Sequence, residues 1–142
     1  MCPEKNGVST LSKPLQTLFD SYRLAFDSFD ADAIATHYCL PSATCDGDGL
    51  RVFSRRTELV IKFEANCVGF KDMGYQSAKF SVVDWQQLSA DRACVNLCWR
   101  IQLSNDFIEF CTMYACVLEA SGWRVFSAVA YPAANAQAQF SQ

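Results

Sequence analysis

Apolar residues recur at three- and four-residue steps along the first part of the chain, which is the spacing of one face of an α-helix. We expect this helix to begin at Ser12, whose hydroxyl suits a cap, with Pro14 in the first turn, where a missing N–H does no harm. Because Tyr22 lies in the middle of the apolar stripe, its phenol is expected to point into the fold. The stripe consists of Leu15, Leu18, Phe19, Tyr22, Ala25, Phe26 and Phe29.

The next fifty residues predict two further helices and a hairpin between them. Asp30 is placed to cap a short second helix, from residue 31 to about residue 38, which ends before Pro41. The apolar pieces on either side of Asp-Gly-Asp-Gly predict a β-hairpin. A third helix is predicted from about residue 55 to residue 70, and its apolar face consists of Leu59, Phe63, Cys67 and Phe70.

After Gly74 the pattern changes from helical to strand-like. Three short turn signals, Ser-Ala-Asp, Ser-Asn-Asp and Ala-Ser-Gly, separate four long segments, and such short connections predict an antiparallel meander. Helices followed by a long sheet predict an α+β fold in which three N-terminal helices pack on one face of a strongly bent antiparallel sheet. The four segments are residues 75–88, 92–103, 107–119 and 123–131.

The faces of these strands predict a partner. The segment 107–118 is apolar on both faces, and a sheet face that water does not cover needs a second layer. A second copy of the chain is the simplest candidate, so we expect a homodimer through the sheet face. Arg100 shares a strand face with Cys98 and Gln102. If that face lines a pocket, Arg100 could bind a ligand carboxylate or phosphate, and if it is the outer face, Arg100 is a rim residue of the dimer.

Length and charge limit the class of protein. A chain of 142 residues favours one domain, which we place at residues 12–131, with a leader at 1–11 and a flexible tail at 132–142. The net charge of -3, with no basic cluster beyond Arg55-Arg56, argues against nucleic-acid binding. No apolar run approaches the roughly 20 residues of a membrane-spanning helix, and no secretory signal is readable, so no membrane association is predicted.

Eight cysteines raise the alternatives of a disulfide scaffold and a zinc site. A chain this long and this apolar can form a stable core without disulfide bonds, which argues against a disulfide scaffold. No Cys-x-x-Cys pair is present, which argues against a zinc site. Cys94 and Cys98 would stand roughly 13 Å apart in a strand, too far to bind one ion. The cysteines are therefore expected to be mostly reduced thiols that act as small core hydrophobes. That expectation favours a cytoplasmic location, and neither a metal nor a cofactor is predicted.

Three stretches resemble the nuclear-transport-factor-2-like superfamily, in its SnoaL-like and ketosteroid-isomerase-like branch. YRLAFDSFDADAIATHY (22–38) is similar to the family's helix pair with an acidic break, SATCDGDG follows it, and SGWRVFSAVAY (121–131) resembles the closing strand. The resemblance covers residues 12–131. It implies a cone in which the sheet wraps around the helices and leaves an apolar pocket. Because the family includes isomerases, cyclases, dehydratases and binding domains, the fold alone does not choose a function.

The resemblance implies catalytic candidates. Tyr22 aligns with the tyrosine that donates a hydrogen bond to the oxyanion in ketosteroid isomerase, and the alternative is an aromatic core residue. The family's general base falls on Gly47, so Asp46 becomes the candidate base if a bulge or register shift turns it inward, while a plain turn is the alternative. Tyr114 falls where the isomerases carry a second oxyanion donor. For His37, at a helix end, packing is favoured over catalysis.

The function that the resemblance implies is the binding of a small, hydrophobic organic ligand. Proton-transfer chemistry of the isomerase, cyclase or dehydratase kind is one reading, and a non-catalytic ligand-binding or dimerisation module is the alternative. Beside the catalytic candidates, the residues expected to contact the ligand are Phe19, Phe26, Phe63, Arg100 and Thr112.

Overall fold

A computed structural model describes residues 10–133, and these form helices and strands in the order that the sequence predicts. Most of the predicted leader (1–11) and tail (132–142) lies outside the described residues. The elements are α1 (Lys13–Asp27), α2 (Ala31–Thr36), β1 (Tyr38–Asp46), β2 (Gly49–Phe53), α3 (Arg56–Asp72), β3 (Ser77–Ser89), β4 (Arg92–Gln102), β5 (Phe107–Glu119) and β6 (Gly122–Pro132).

Local side-chain chemistry accounts for the helix ends. Pro14 stands in the first turn of α1, although the hydroxyl of Ser12 makes no capping bond. Asp30 caps α2, since its carboxylate accepts the backbone N–H of Ala33 at 3.0 Å. At α3 the carboxylate of Glu58 accepts the backbone N–H groups of Ser54 and Arg55 at 2.8 and 3.1 Å. Each helix therefore begins where a side chain or proline suits its first turn.

The second helix is shorter than predicted. α2 ends at Thr36, and Tyr38 begins β1 instead of closing the helix. The cause is tertiary, because the carbonyl of His37 accepts the backbone N–H of Val125 at 2.9 Å and Tyr38 pairs with Val125 in β6. Tyr38 thereby joins the sheet, with its side chain buried.

All the strands belong to one sheet, in the order β2-β1-β6-β5-β4-β3. β3 to β6 form the predicted antiparallel meander, and β1 and β2 form the predicted hairpin, with Asp46 opposite Gly49. The hairpin also joins the meander, because β1 pairs with β6 in parallel. The layer over the helices is therefore six-stranded rather than four-stranded, and it is antiparallel except at this pair.

The helices cover one face of the sheet, which confirms the predicted α+β class. On the inward face of β4, Val95 and Leu97 are fully buried, and they meet Leu15 and Phe19 of α1 in one core. Alternate strand residues point to opposite faces, so Arg100 lies on the outward face.

The outward face carries a disulfide that the sequence analysis did not predict. Cys98 of β4 and Cys111 of β5 are directly opposite each other, with Cα atoms 4.1 Å apart, and their sulfur atoms are bonded. The expectation of reduced thiols is wrong for this pair, because it weighed spacing within a strand and not pairing between strands. The cytoplasmic location, which was inferred from reduced thiols, stays a prediction.

Candidate ligand cavity

A cavity of about 340 Å³ lies between the helices and the inward face of the sheet. This volume is at the small end of the roughly 300–1,000 Å³ that small-molecule pockets occupy. Aromatic residues are the largest group in its wall. The phenylalanines on the wall are Phe26, Phe63, Phe70 and Phe110.

Tyr22 and Tyr38 form a hydrogen-bonded pair in the cavity wall. Their hydroxyl oxygens are 2.8 Å apart, and both residues are buried. α1 brings Tyr22 inward because it occupies the apolar stripe, and β1 brings Tyr38 to the same place. Burial raises the pKa of the Tyr22 and Tyr38 phenols far above their usual value, and the charge of Tyr38 adds to the rise at Tyr22 while that of Tyr114 adds to the rise at Tyr38. Both therefore remain protonated.

Tyr114 lies on the inward face of β5, beside this pair. Its hydroxyl oxygen accepts the indole N–H of Trp99 at 3.0 Å, and both residues line the cavity. Its ring is 6.0 Å from that of Tyr22, and burial raises the pKa of Tyr114 well above its usual value. The hydroxyl of Tyr114 thus accepts from Trp99 and has the hydroxyls of Tyr22 and Thr112 as further hydrogen-bonding neighbours.

Asp46 faces the cavity at the end of β1, near the Asp-Gly-Asp-Gly turn. It follows Thr44 on the inward face, since alternate residues of a strand point the same way, and β1 carries a register shift between Tyr38 and Ala43. The Asp46 side chain is 29% exposed, and one of its carboxylate oxygens accepts the backbone N–H of Asp48 at 2.9 Å. Asp46 thus directs its carboxylate toward the cavity, although the resemblance places the general base of the family at Gly47.

Lys62 of α3 is a charged cavity residue that sequence reasoning missed. Its ammonium is 2.9 Å from the carboxylate of Asp46 and 4.0 Å from that of Asp48, and only 3% of its side chain is exposed. Burial opposes ionisation of Asp46, but hydrogen bonds from Lys62 and from Asp48 outweigh it and lower the pKa of that carboxyl. The spacing of the helix could have indicated that Lys62 is buried, because Lys62 directly precedes Phe63 and lies three residues after Leu59, and both of these belong to the apolar face.

Two threonines add hydroxyl groups to the wall. Thr44 of β1 and Thr112 of β5 are both buried and line the cavity. The hydroxyl oxygen of Thr44 has no hydrogen-bond partner among residues 10–133. A buried hydroxyl without a hydrogen bond is energetically unfavourable, so the hydroxyl of Thr44 is available to bond to a ligand in the cavity.

The remaining predicted contact residues divide into two groups. Phe26 and Phe63 line the cavity, whereas Phe19 lies outside its lining and is fully buried in the core behind it. Arg100 is on the outward face, paired with Glu109 at 2.9 Å and stacked 3.6 Å from the ring of Phe107. The prediction that Arg100 contacts a ligand in the pocket is therefore wrong. Successive residues of a strand point to opposite faces of the sheet, and the preceding residue, Trp99, points inward.

His37 also lies outside the cavity lining. One ring nitrogen is 2.8 Å from the backbone carbonyl of Ala33 and the other is 2.8 Å from the hydroxyl of Ser21. The first can only donate, so the second accepts the Ser21 hydroxyl proton in a neutral ring. Burial lowers the pKa of His37, which keeps this arrangement neutral.

Two features are absent from the described residues. Between residues 10 and 133, no three His, Cys, Asp or Glu side chains come together in a way that could hold a metal ion. No helix in this part of the chain is both long enough and apolar enough to span a membrane.

The family follows from a sequence comparison. A model of an NTF2-like protein family, DUF6841, matches residues 12–133. The chain belongs to this family. The predicted nuclear-transport-factor-2-like membership is thereby confirmed, while the finer SnoaL-like assignment stays a prediction. Among curated proteins, none matches the chain by sequence.

Solved structures with the same fold carry varied descriptions. An NTF2-like protein of unknown function from Shewanella oneidensis superposes with a TM-score of 0.71 at 16% identity, over 82% of this chain and 95% of that one. A ketosteroid isomerase-like protein from Erwinia carotovora gives 0.62 at 15%, over 82% and 92%. A putative calcium/calmodulin-dependent protein kinase II association domain from Xanthomonas campestris gives 0.68 at 12%, over 92% and 95%. Likeness at these identities shows the fold alone.

Proposed function

We propose that this NTF2-like protein binds a small, mostly apolar organic molecule in the cavity, with one oxygen acceptor of the molecule held by tyrosine hydroxyls. One observation carries the proposal. The bond between Tyr22 and Tyr38 uses one of their two hydroxyl protons, and Tyr114 accepts from Trp99 and has Tyr22 as a further hydrogen-bonding neighbour. One hydroxyl proton of these three tyrosines is therefore available for a ligand oxygen in the buried wall.

The chemistry of the wall supports this ligand class. Aromatic side chains favour a flat hydrophobic body, because they bury large areas and prefer edge or stacked contacts with other rings. The raised pKa values of Tyr22 and Tyr114 keep both phenols protonated, so they donate at any physiological pH. A carbonyl or hydroxyl oxygen accepts such a donor, which a purely apolar molecule would leave unsatisfied.

A graded pair of probes tests the proposal. Naphthalene offers no acceptor and 2-naphthol offers one, and their binding is followed by calorimetric titration. We expect 2-naphthol to bind the wild type about three- to ten-fold more tightly than naphthalene, which is the value of one neutral hydrogen bond. Tyr114→Phe should remove most of that difference.

Tyr131→Phe is the matched control. Tyr131 is also a hydrogen-bonded tyrosine of the sheet, but it is opposite Cys111 on the outward face and donates to Asn96. The control should bind both probes like the wild type. Equal binding of the two probes to wild type, or an equal loss in both variants, would show that the inward tyrosines do not hold the ligand oxygen.

Proton transfer is the second candidate function, and the inward carboxylate of Asp46 favours it. A carboxylate base and a hydroxyl donor in one cavity are the groups needed to remove a proton next to a ketone and to stabilise the resulting enolate. Deuterium uptake by 1-tetralone in heavy water, followed by NMR, measures this reaction directly. Uptake that is accelerated by wild type and lost in Asp46→Asn would support it, and uptake at the buffer rate would reject it.

We also propose that the chain forms a homodimer through the outward face of the sheet. Cys111, Met113 and Ala115 of β5 lie on that face, and a strand that is apolar outward calls for a second layer. Light scattering on the purified protein gives the mass. Met113→Lys should convert a dimer to a monomer, whereas Ile61→Lys, at an exposed position of α3, should not. A monomeric wild type would end the proposal.

A further inference from the structure

The wall near Asp46 contains unused hydrogen-bonding capacity that the proposed tyrosine donors do not explain. An ammonium group has three N–H donors, and among the described residues the ammonium of Lys62 makes one hydrogen bond, to Asp46. Asp48 stands at 4.0 Å, beyond hydrogen-bond distance. A side chain that is 97% buried cannot satisfy the remaining donors by bulk water, so they point to a bound group.

Thr44 gives a second, independent indication at the same wall. Its hydroxyl is buried and has no partner in residues 10–133, and it lines the cavity together with Lys62 and Asp46. Thr44 and Asp46 are two residues apart on the inward face of β1, which brings their side chains next to each other. Donors from α3 and β1 and an acceptor from β1 thus converge on one part of the cavity.

From this convergence we infer that Lys62, Thr44 and Asp46 form a second polar subsite, which binds a hydroxyl group of the ligand. The inference rests on the proposed function and extends it, since the ligand would carry two oxygen functions on one hydrophobic body. One oxygen is held by the tyrosines, and the other lies nearer the partly exposed turn of Asp46 and Asp48.

The local charge selects a hydroxyl over a carboxylate. Two carboxylates, Asp46 and Asp48, lie within 4.0 Å of the single ammonium of Lys62. A ligand carboxylate would meet their repulsion, whereas a hydroxyl accepts a hydrogen bond from Lys62 or Thr44 and donates its own proton to Asp46. Each carboxylate oxygen can accept two hydrogen bonds, so the existing pair need not break.

The experiment compares 2-naphthol with its 2,6- and 2,7-dihydroxy counterparts by calorimetric titration. The two diols share the body and the first hydroxyl and place the second hydroxyl at different positions. We expect at least one diol to bind the wild type about ten-fold more tightly than 2-naphthol, because the added hydrogen bond is to a charged group. 6-Hydroxy-2-naphthoic acid, which carries a carboxylate there, should bind less tightly than the better diol.

Three variants locate the effect. Lys62→Met should abolish the ten-fold advantage of the diol over 2-naphthol, and Thr44→Val should reduce that advantage. Ser42→Ala is the matched control, because Ser42 on the same strand is also buried and without a partner in residues 10–133, but it does not line the cavity. It should keep the full advantage. Thermal melting of each variant confirms that it is folded.

The outcomes separate this inference from the proposed function. If 2-naphthol binds but neither diol binds more tightly, or if the diol advantage survives in both Lys62→Met and Thr44→Val, the second subsite is refuted while ligand binding stands. If the naphthoic acid binds most tightly, the subsite takes an anion and the hydroxyl assignment is wrong. If neither 2-naphthol nor any diol binds, the proposed function itself fails.

Discussion

The ion pair between Lys62 and Asp46 predicts an unequal response to removal of its two charges. The Lys62 side chain is 3% exposed, whereas the Asp46 side chain is 29% exposed. Asp46→Asn leaves a buried ammonium without its carboxylate but keeps an oxygen for the backbone N–H of Asp48. Lys62→Met leaves a carboxylate that water reaches. Asp46→Asn should therefore be the more destabilising change.

The magnitudes follow from burial. Removing one partner of a fully buried pair costs about 3–5 kcal/mol of unfolding free energy. This loss is reduced by Asp48, which lies 4.0 Å from the ammonium of Lys62, and by the amide oxygen of the introduced Asn. We therefore expect Asp46→Asn to lower the unfolding free energy by about 2–3 kcal/mol. For Lys62→Met the remaining carboxylate is solvated, and about 1 kcal/mol or less is expected. In the double variant no unpaired charge remains, so its stability should exceed that of Asp46→Asn.

Urea denaturation of the four proteins, followed by far-ultraviolet circular dichroism, measures these differences. Thermal melting gives a check, since a loss of about 2–3 kcal/mol corresponds to roughly 6–12 °C in a chain of this size. The decisive comparison is between Asp46→Asn and the double variant. If Lys62→Met fails to restore stability to Asp46→Asn, or if it is itself the more damaging single change, the reasoning from unequal burial is wrong.

Three further predictions follow from the other polar contacts. Trp99→Phe removes the donor to Tyr114 and should lower the unfolding free energy by about 1–3 kcal/mol, measured by urea denaturation. Because the pKa of His37 is lowered in the fold, the unfolded chain binds more protons, so stability should fall as the pH drops below about 6.5, and His37→Asn should flatten this slope. The lowered pKa of Asp46 predicts a further loss as the pH falls below about 4, which Asp46→Asn should lack.

Much of the fold could be predicted because helix and strand periodicities were strong. The stripe through Tyr22 and the turns between the last four strands each reflect local chemistry, and both were placed within a few residues. The parallel pairing of β1 with β6 could not be predicted in this way. It joins segments far apart in the chain, and because of it Tyr38 belongs to β1 and not to the second helix.

The site was less predictable than the fold. Tyr22 and Tyr114 came from the family resemblance and Asp46 from the possibility of an inward turn, and the structure brings all three to one cavity. Lys62 was missed because a lysine on a helix is ordinarily solvated, and its burial depends on a carboxylate sixteen residues away. Arg100 was wrongly included among the ligand contacts because the alternation of strand residues fixes which of them share a face, but not which face the helices cover.

The pairing of the first strand with the last has a consequence for biosynthesis. β1 and β2 leave the ribosome while β6, which must lie beside β1, has not yet been made. At about 5–20 residues per second, the nascent chain carries an unpaired strand edge for several seconds. A stop codon ahead of β6 would therefore do more than remove a terminal strand, because it would also detach the hairpin that presents Thr44 and Asp46 to the cavity.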